Sequence, residues 1–377
     1  MKIKDLKIIP CSHYLFIRIE SDNGMYGIGE AGAWGYLDAC KGAIGKFREY
    51  LLGKDPMAIE HHWNYMYRGL YFRGSVIMSA ISAIDIALWD LKGKCLGVPV
   101  YELLGGKCRD KVRCYAPVKE YDAEKAAKRC LQLKGLGFTA ARIMMNDRAE
   151  NPLDPHTYSG KLNRYIEKVK ACREAVGPDF DLVLEVHRSM SMAEAVALGR
   201  AVERYTPLFM EDPIAPDSIT QMGQISAAAT VPIATGERFI SLQEFEELLG
   251  RSSVKYIRPD VCTIGGITAS KKIAAVAEAH YVGLVPHNPL GPVSTAACLQ
   301  LDACIPNFLI QEYPSFNVDG NEDGMLQKHL VYEDGYIKIP DGPGLGIELV
   351  DGIEEKYPEN QRVYTVKIDS DGSVCDR

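Results

Sequence analysis

Short apolar runs separated by longer amphipathic stretches dominate the chain from Lys111 onward, and their order predicts parallel strands alternating with covering helices. The strand-like runs are VRCYAP, ARIMMN, LVLEVH, PLFMED, PIATGE, YIRPDV, LVPHN and FLIQEY, and helices are predicted to begin near Asp122, Gly160, Ser191, Pro216, Ser241, Gly265 and Gly291. Eight strands joined by seven helices make an α/β fold, a modified TIM barrel of the (β/α)7β kind. After Tyr313 the pattern gives way to Gly, Pro and Asp, and the late run RVYTVKI reads as a strand able to return to the first part of the chain.

Before Lys111 the pattern is different. The stretch IKDLKIIPCSHYLFIRIESDNGMYGIGEA predicts three strands, with Asp22-Asn23-Gly24 turning the second into the third. Helices are predicted from about Leu37 to Leu52 and from about Ser75 to Leu96; in the second, Ile77, Ile81, Ile84, Leu88 and Leu91 recur at intervals of three and four. The reading divides the chain into an α+β capping domain over 1–110, the barrel over 111–315, and a C-terminal segment over 316–377 that returns to complete the capping domain.

Length supports more than one core, because 377 residues exceed the roughly 250 to 300 at which single cores stop growing. A net charge of −7 gives no electrostatic reason to expect nucleic acid or an anionic membrane, which leaves a small molecule as the expected partner. The 11 cysteines contain no CxxC pair, and MKIKDLKIIP lacks the apolar stretch of a secretory leader, so a reducing cytoplasm is expected. A homo-oligomer is also expected, as barrels of this kind commonly assemble.

The candidate chemistry sits at the strand ends. Glu185, Glu211 and Glu237 recur at a spacing of 26 (185 to 211, 211 to 237), about one strand, loop and helix of the repeat, so consecutive strands aim all three at one point. Taken singly, such a Glu is more often a solvated loop residue; three in one register would repel each other unless a divalent cation joined them. Hard oxygen ligands select Mg²⁺ or Mn²⁺ over Zn²⁺. His187 follows Glu185 by two residues, which on a period-2 strand turns it toward the same point. Asp260 and His287 end the sixth and seventh strands, and a carboxylate beside an imidazole is the arrangement of a general base. An ion pair between Asp260 and Arg258 in IRPD is the competing reading. Glu312 ends the eighth strand.

These residues resemble a family. The stretches MYRGLYFRG, SAIDIALWDLKGK, LEVH, FMEDP, ATGERF, RPDVCTIGGIT and PHNPLGPVSTAACL are similar to the enolase superfamily in its mandelate racemase subgroup, and within it to acid-sugar dehydratases of the galactonate type. The resemblance implies that Glu185, Glu211 and Glu237 bind one Mg²⁺ per subunit, that His287 with Asp260 is the base, that His187 is the general acid, and that a protonated Glu312 contacts the substrate carboxylate. The family usually has Asp where this chain has Glu185. The implied reaction removes the proton next to a carboxylate and eliminates the neighbouring hydroxyl, giving a 2-keto-3-deoxy acid.

A racemase or epimerase needs a second base on the opposite face of the carbon, and the second strand offers Arg142-Ile143-Met144 where relatives with two bases carry a pair of lysines. A lactone cycloisomerase and a non-catalytic regulatory binding protein on the same fold are the remaining alternatives. Candidates to meet a sugar acid are Arg142 in the barrel, Trp34 and Tyr36 in GEAGAWGYLD, and Tyr71 and Arg73 in RGLYFRG, with ordinary interdomain packing as the rival explanation for the last four. The polar run NDRAENPLDPHTYSG is a candidate rim loop.

Overall fold

A computed structural model describes residues 1–145, 157–313, 324–364, 366–368 and 371–375. The first unit opens with an antiparallel sheet, β1 (Ile3–Cys11), β2 (Tyr14–Ser21) and β3 (Tyr26–Ala31), in that order. Helices α1 (Leu37–Leu51), α2 (Ile59–Arg68) and α3 (Ser75–Leu96) cover it. Strand β3 presses so closely on α3 that a Cβ at Gly27 would lie 2.0 Å from the Ala87 carbonyl oxygen, and one at Gly29 2.0 Å from that of Ala83. The alternating glycines of YGIGEA are therefore a packing requirement. Helix α3 is buried on most of its surface because the sheet lies on one side and a barrel helix on the other.

A short helix α4 (Val100–Leu103) leads into the barrel. In chain order follow β4 (Lys111–Val118), α5 (Ala123–Gly135), β5 (Ala140–Met144), α6 (Tyr158–Val176), β6 (Asp181–Glu185), α7 (Met192–Val202), β7 (Phe209–Glu211) and α8 (Ile219–Ala228). Then come β8 (Ile233–Thr235), α9 (Leu242–Arg251), β9 (Tyr256–Ile257), α10 (Gly266–Ala279), β10 (Gly283–Leu284), α11 (Pro292–Cys304) and β11 (Gln311–Glu312). Neighbouring strands β4 through β10 pair in parallel, β11 pairs with β4, and a Leu284–Phe308 bridge joins the last two staves, so the ring closes. Five of the helices start on a side-chain cap, Asp122, Thr157, Ser191, Ser218 and Ser241, each accepting from the backbone three residues on. The barrel interior is filled by Tyr115, Ala140, Val183, Phe209, Ala234, Val285 and Ile310 from seven different staves, a packed core and not a pore.

The C-terminal stretch splits its contacts. A hairpin of β12 (Tyr332–Glu333) and β13 (Tyr336–Lys338) adds antiparallel to the start of β4. Beyond it the chain runs over the first unit: Gly344 exchanges backbone hydrogen bonds with Val98 and Val100, the Leu345 amide donates to Asp90 at 2.8 Å, and Ser12 pairs with Tyr357 and Asn360. The run RVYTVKI returns to the first unit, where an Arg362 guanidinium nitrogen lies 2.7 Å from His13 Nε2, and its β14 (Lys367–Ile368) pairs with β15 (Val374–Cys375) and not, among the described residues, with the first sheet. Most of the candidate rim loop, residues 146–156, lies outside the described residues. No helix among the described residues is long and apolar enough to cross a membrane.

Candidate active site

Glu185 and Glu211 are the last residues of β6 and β7 and stand directly opposite each other in the parallel register, so their side chains emerge side by side. Strand β8 stops at Thr235, and Gly236 turns the chain at φ +125° to bring Glu237 to the same place. One carboxylate oxygen from each lies within 4.8 Å of the other two, the one such cluster among the described residues.

Burial makes this cluster electrostatically unsettled. Glu185 and Glu211 are 1% and 0% exposed, and Glu185 Oε1 and both oxygens of Glu211 accept no hydrogen bond. Burial, with repulsion from Glu237 and Asp212, lifts Glu185 to about 7 against the pull of Arg142, and burial drives Glu211 well above the usual carboxylate range. Three converging carboxylates, with unpartnered oxygens on Glu185 and Glu211, are the donor set of a hard divalent cation, so the residues present fit such an ion.

Two arginines reach the cluster from other staves. Arg142 on β5 lies 3.0 Å from Glu185, 3.6 Å from Glu211 and 2.9 Å from Glu312. Arg258, fully buried just beyond β9, lies 2.7 Å from both Glu211 and Glu312 and donates to the Tyr115 hydroxyl at 2.7 Å. Burial opposes ionisation of Glu312, yet Arg142 and Arg258 prevail and bring it down to about 2. Glu312 thus lies between two guanidinium groups, which favour its anion over the protonated form that the resemblance implies. Arg258 pairs with Glu211 and Glu312 and donates to Tyr115, and among the described residues it makes no ion pair with Asp260.

Asp260 and His287 face each other through a parallel bridge beyond β9 and β10. The imidazole Nδ1 is 2.8 Å from Asp260 Oδ2, while Cys262 N–H donates to Asp260 Oδ1 at 2.8 Å. The other ring nitrogen, Nε2, is 3.2 Å from Glu237. Burial pulls His287 down, but Glu237 and Asp260 outweigh it and raise the imidazole to about 9. Glu237 moves the other way: burial opposes its ionisation, and His287 and Arg188 overcome that and depress it.

His187 is reached by a different route from the one its spacing predicts. Strand β6 ends at Glu185, and both His187 (φ +52°) and Arg188 (φ +62°) adopt the left-handed conformation, so the period of two does not extend to the histidine. Its Nε2 lies 2.7 Å from Arg188 Nη2, and it stands near enough to Glu237 for its charge to favour that carboxylate. Arg188, which sequence reasoning missed, is buried and pairs with Glu237 and, at 3.4 Å, with Asp212. A buried arginine forced into a positive φ beside a candidate ligand is a signal that only coordinates reveal.

The substrate candidates divide. Trp34 tilts over His287, with ring centroids 5.8 Å apart, and Arg142 lies inside the cluster. Tyr71 is 98% exposed, Tyr36 is exposed ahead of α1, and Arg73 turns back onto Tyr67, donating to its carbonyl and stacking on its ring. These last three are not brought to the site.

A capped β/α barrel with a His–Asp pair and a carboxylate cluster able to hold a metal ion at the C-terminal ends of its strands has the layout of a barrel enzyme. Residues 122–353 match the Enolase C-terminal domain-like family and residues 9–105 the Mandelate racemase / muconate lactonizing enzyme, N-terminal domain. The chain belongs to the enolase superfamily. It is similar to the D-galactonate dehydratase of Xanthomonas oryzae pv. oryzae, 36% identical over 372 residues and 96% of each chain, and to that of Variovorax paradoxus, 36% identical over 89% of this chain and 88% of the other. Among solved structures, a member of the enolase superfamily from Salmonella Typhimurium superposes with a TM-score of 0.89 at 31% identity, covering 95% of this chain and 98% of that one. An enolase from Agrobacterium radiobacter bound to Na and L-malate superposes with a TM-score of 0.91 at 29% identity, covering 99% of each.

Proposed function

We propose that the protein is a Mg²⁺-dependent dehydratase of a sugar acid, an aldonate or aldarate resembling galactonate, that yields a 2-keto-3-deoxy acid. The observation that carries this reading is His287 held by Asp260 with its other nitrogen, Nε2, turned to Glu237 of the three-carboxylate cluster. A chain 36% identical to D-galactonate dehydratase over 96% of its length supports the same substrate class. A His base working with Mg²⁺ is the general pattern of this superfamily.

Glu185, Glu211 and Glu237 would hold the cation. When bound, it offsets the negative charge that gathers on the substrate carboxylate as the α-proton leaves. The protein's residues do the rest. Arg142 offers a guanidinium beside the cluster to orient the carboxylate, and Arg258 keeps Glu312 and Glu211 in place below it. His287 Nε2 takes the α-proton, and Asp260 fixes the ring and steadies the imidazolium that results. The electron pair released rests first on the substrate carboxylate; in a second step it forms the α–β carbon–carbon double bond as the β-carbon–oxygen bond breaks, and His187 gives its proton to the departing hydroxyl, which leaves as water. The enol that remains tautomerises to the keto acid. A base on only one face favours this over racemisation: Arg142, engaged with Glu185 and Glu312, stays charged throughout.

The test is a panel of aldonic and aldaric acids assayed with Mg²⁺ for keto-acid release. His287→Asn is expected to abolish exchange of the α-proton in D₂O, whereas His187→Asn is expected to exchange it yet release no water. Epimer without keto acid would make the protein an epimerase, an opened or closed lactone a cycloisomerase, and metal binding without any turnover a regulatory binding protein.

A further inference from the structure

The edge of the first unit grips both halves of the His–Asp pair. Glu30, at the end of β3, is 0% exposed and reaches across to the start of α11, where its two oxygens accept the Gly291 amide at 2.7 Å and the Ser294 amide at 2.8 Å. The approach is so close that a Cβ at Gly291 would lie 2.8 Å from the carboxylate. Two residues further along the same strand exit, the Gly32 amide donates to the Cys262 carbonyl at 3.0 Å, and Cys262 in turn donates to Asp260.

From Glu30 the connection to the chemistry is short and fully hydrogen-bonded. Ser294 Oγ donates to Asn288 Oδ1 at 2.9 Å, and Asn288 Nδ2 donates to Thr295 Oγ1 at 2.9 Å. The Asn288 amide donates to Glu312 Oε2 at 3.1 Å, and His287 is its neighbour in the chain. Carboxylate oxygens at a helix N-terminus fix both the position of the helix and the loop that enters it. Fixing that loop fixes His287 relative to Asp260.

We propose that Glu30 is a positioning residue for the Asp260–His287 pair, a clamp by which the capping unit sets the geometry of the proton-abstracting base in the barrel. The inference rests on the dehydratase reading for its kinetic consequence but not for its structural one. A displacement of about 1 Å at a reacting group is enough to slow chemistry about 100-fold.

Glu30→Gln keeps the volume and one acceptor, and Glu30→Ala removes both. In both variants the full-length Mg²⁺ protein is expected to lose α-proton exchange and dehydration by the same factor, about 10- to 100-fold with Ala the larger, while KM and Mg²⁺ affinity by calorimetry stay within about twofold. A second readout does not need turnover: the downfield ¹H NMR signal of the His287 Nδ1 proton, assigned by its loss in His287→Asn, is expected to shift or broaden in Glu30→Gln. If that signal and the exchange rate match the unsubstituted protein, or if Mg²⁺ affinity falls in step with rate, the clamp is wrong and Glu30 serves only the fold. If the signal moves but the unsubstituted protein exchanges no α-proton, the clamp stands and the dehydratase reading fails.

Discussion

Arg258 and Glu312 meet at 2.7 Å in a fully buried ion pair that ties the exit of the sixth barrel strand to the end of the eighth. The same guanidinium lies 2.7 Å from Glu211, so a single cation answers two buried carboxylates.

Removing one partner of a buried pair typically destabilises by about 3 to 5 kcal/mol, and Arg142, 2.9 Å from Glu312, covers only part of the charge that Arg258 answers. Arg258→Met is therefore expected to lower the denaturation midpoint strongly, and Arg258→Lys, which cannot span two carboxylates with one planar fork, to do so by an intermediate amount. Urea unfolding of the metal-free protein checks this. Equal stability of Arg258→Met and the parent would mean that the pair holds nothing together.

Metal binding should be linked to protons. In the metal-free arrangement Glu185 is raised to about 7 by burial and Glu211 further still, so near neutrality the cluster retains protons that a cation must displace. Affinity for Mg²⁺ is expected to rise with pH between about 6 and 8, with protons released on binding. Titration calorimetry in buffers of different ionisation enthalpy measures the release, and a pH-independent affinity with none would contradict it.

The cluster itself was legible because chain order and space coincide in a β/α barrel: three acids 26 positions apart must fall on adjacent staves. Asp260 and His287 were legible for the same reason. What sequence spacing cannot carry is contact across the ring. Arg142 and Arg258 arrive at Glu312 from the second and sixth staves, and their guanidinium groups favour its anion. Nor does a strand period survive a turn, which is why His187 was expected on a face that its positive φ does not follow. Helix α2 escaped notice because IEHHWNYMYR is short and poor in strong helix formers, and it is held by burial of Ile59, His62 and Met66 against its neighbours. RVYTVKI returns to the first unit, yet its strand pairs with β15 and not with the first sheet. Strand propensity names a conformation, while the pairing partner depends on where the preceding segment leaves the chain.

Asp85 predicts a pH dependence of stability away from the site. On α3 it accepts from the Thr268 hydroxyl and amide at the start of α10, at 2.5 and 3.0 Å, and burial raises it to about 7 from the ordinary 3.8. A carboxyl whose folded pKa is raised supports folding most below its unfolded value and loses that support as pH climbs through the folded one. Between about pH 4 and 7 the parent is expected to lose stability relative to Asp85→Asn, by at most about 1.4 kcal/mol per pH unit. Chemical denaturation of both proteins across that window decides it, and a constant difference would mean that Asp85 does not titrate there.

Trp34 and Tyr71 separate the two segments that the sequence presents as equals. Trp34 leans over His287 with ring centroids 5.8 Å apart, which puts its indole beside the proposed base, whereas Tyr71 is 98% exposed. Losing one aromatic contact weakens binding by about 0.5 to 1.5 kcal/mol, so Trp34→Ala is expected to raise KM up to about tenfold with little change in kcat. Tyr71→Ala is expected to leave both constants within about twofold. Steady-state kinetics on the best acid of the panel, with quenching of Trp34 fluorescence as an independent measure of binding, compares them. If Tyr71→Ala raises KM as much as Trp34→Ala, the RGLYFRG segment must fold over the substrate, and specificity would belong to a closed state in which both segments touch it.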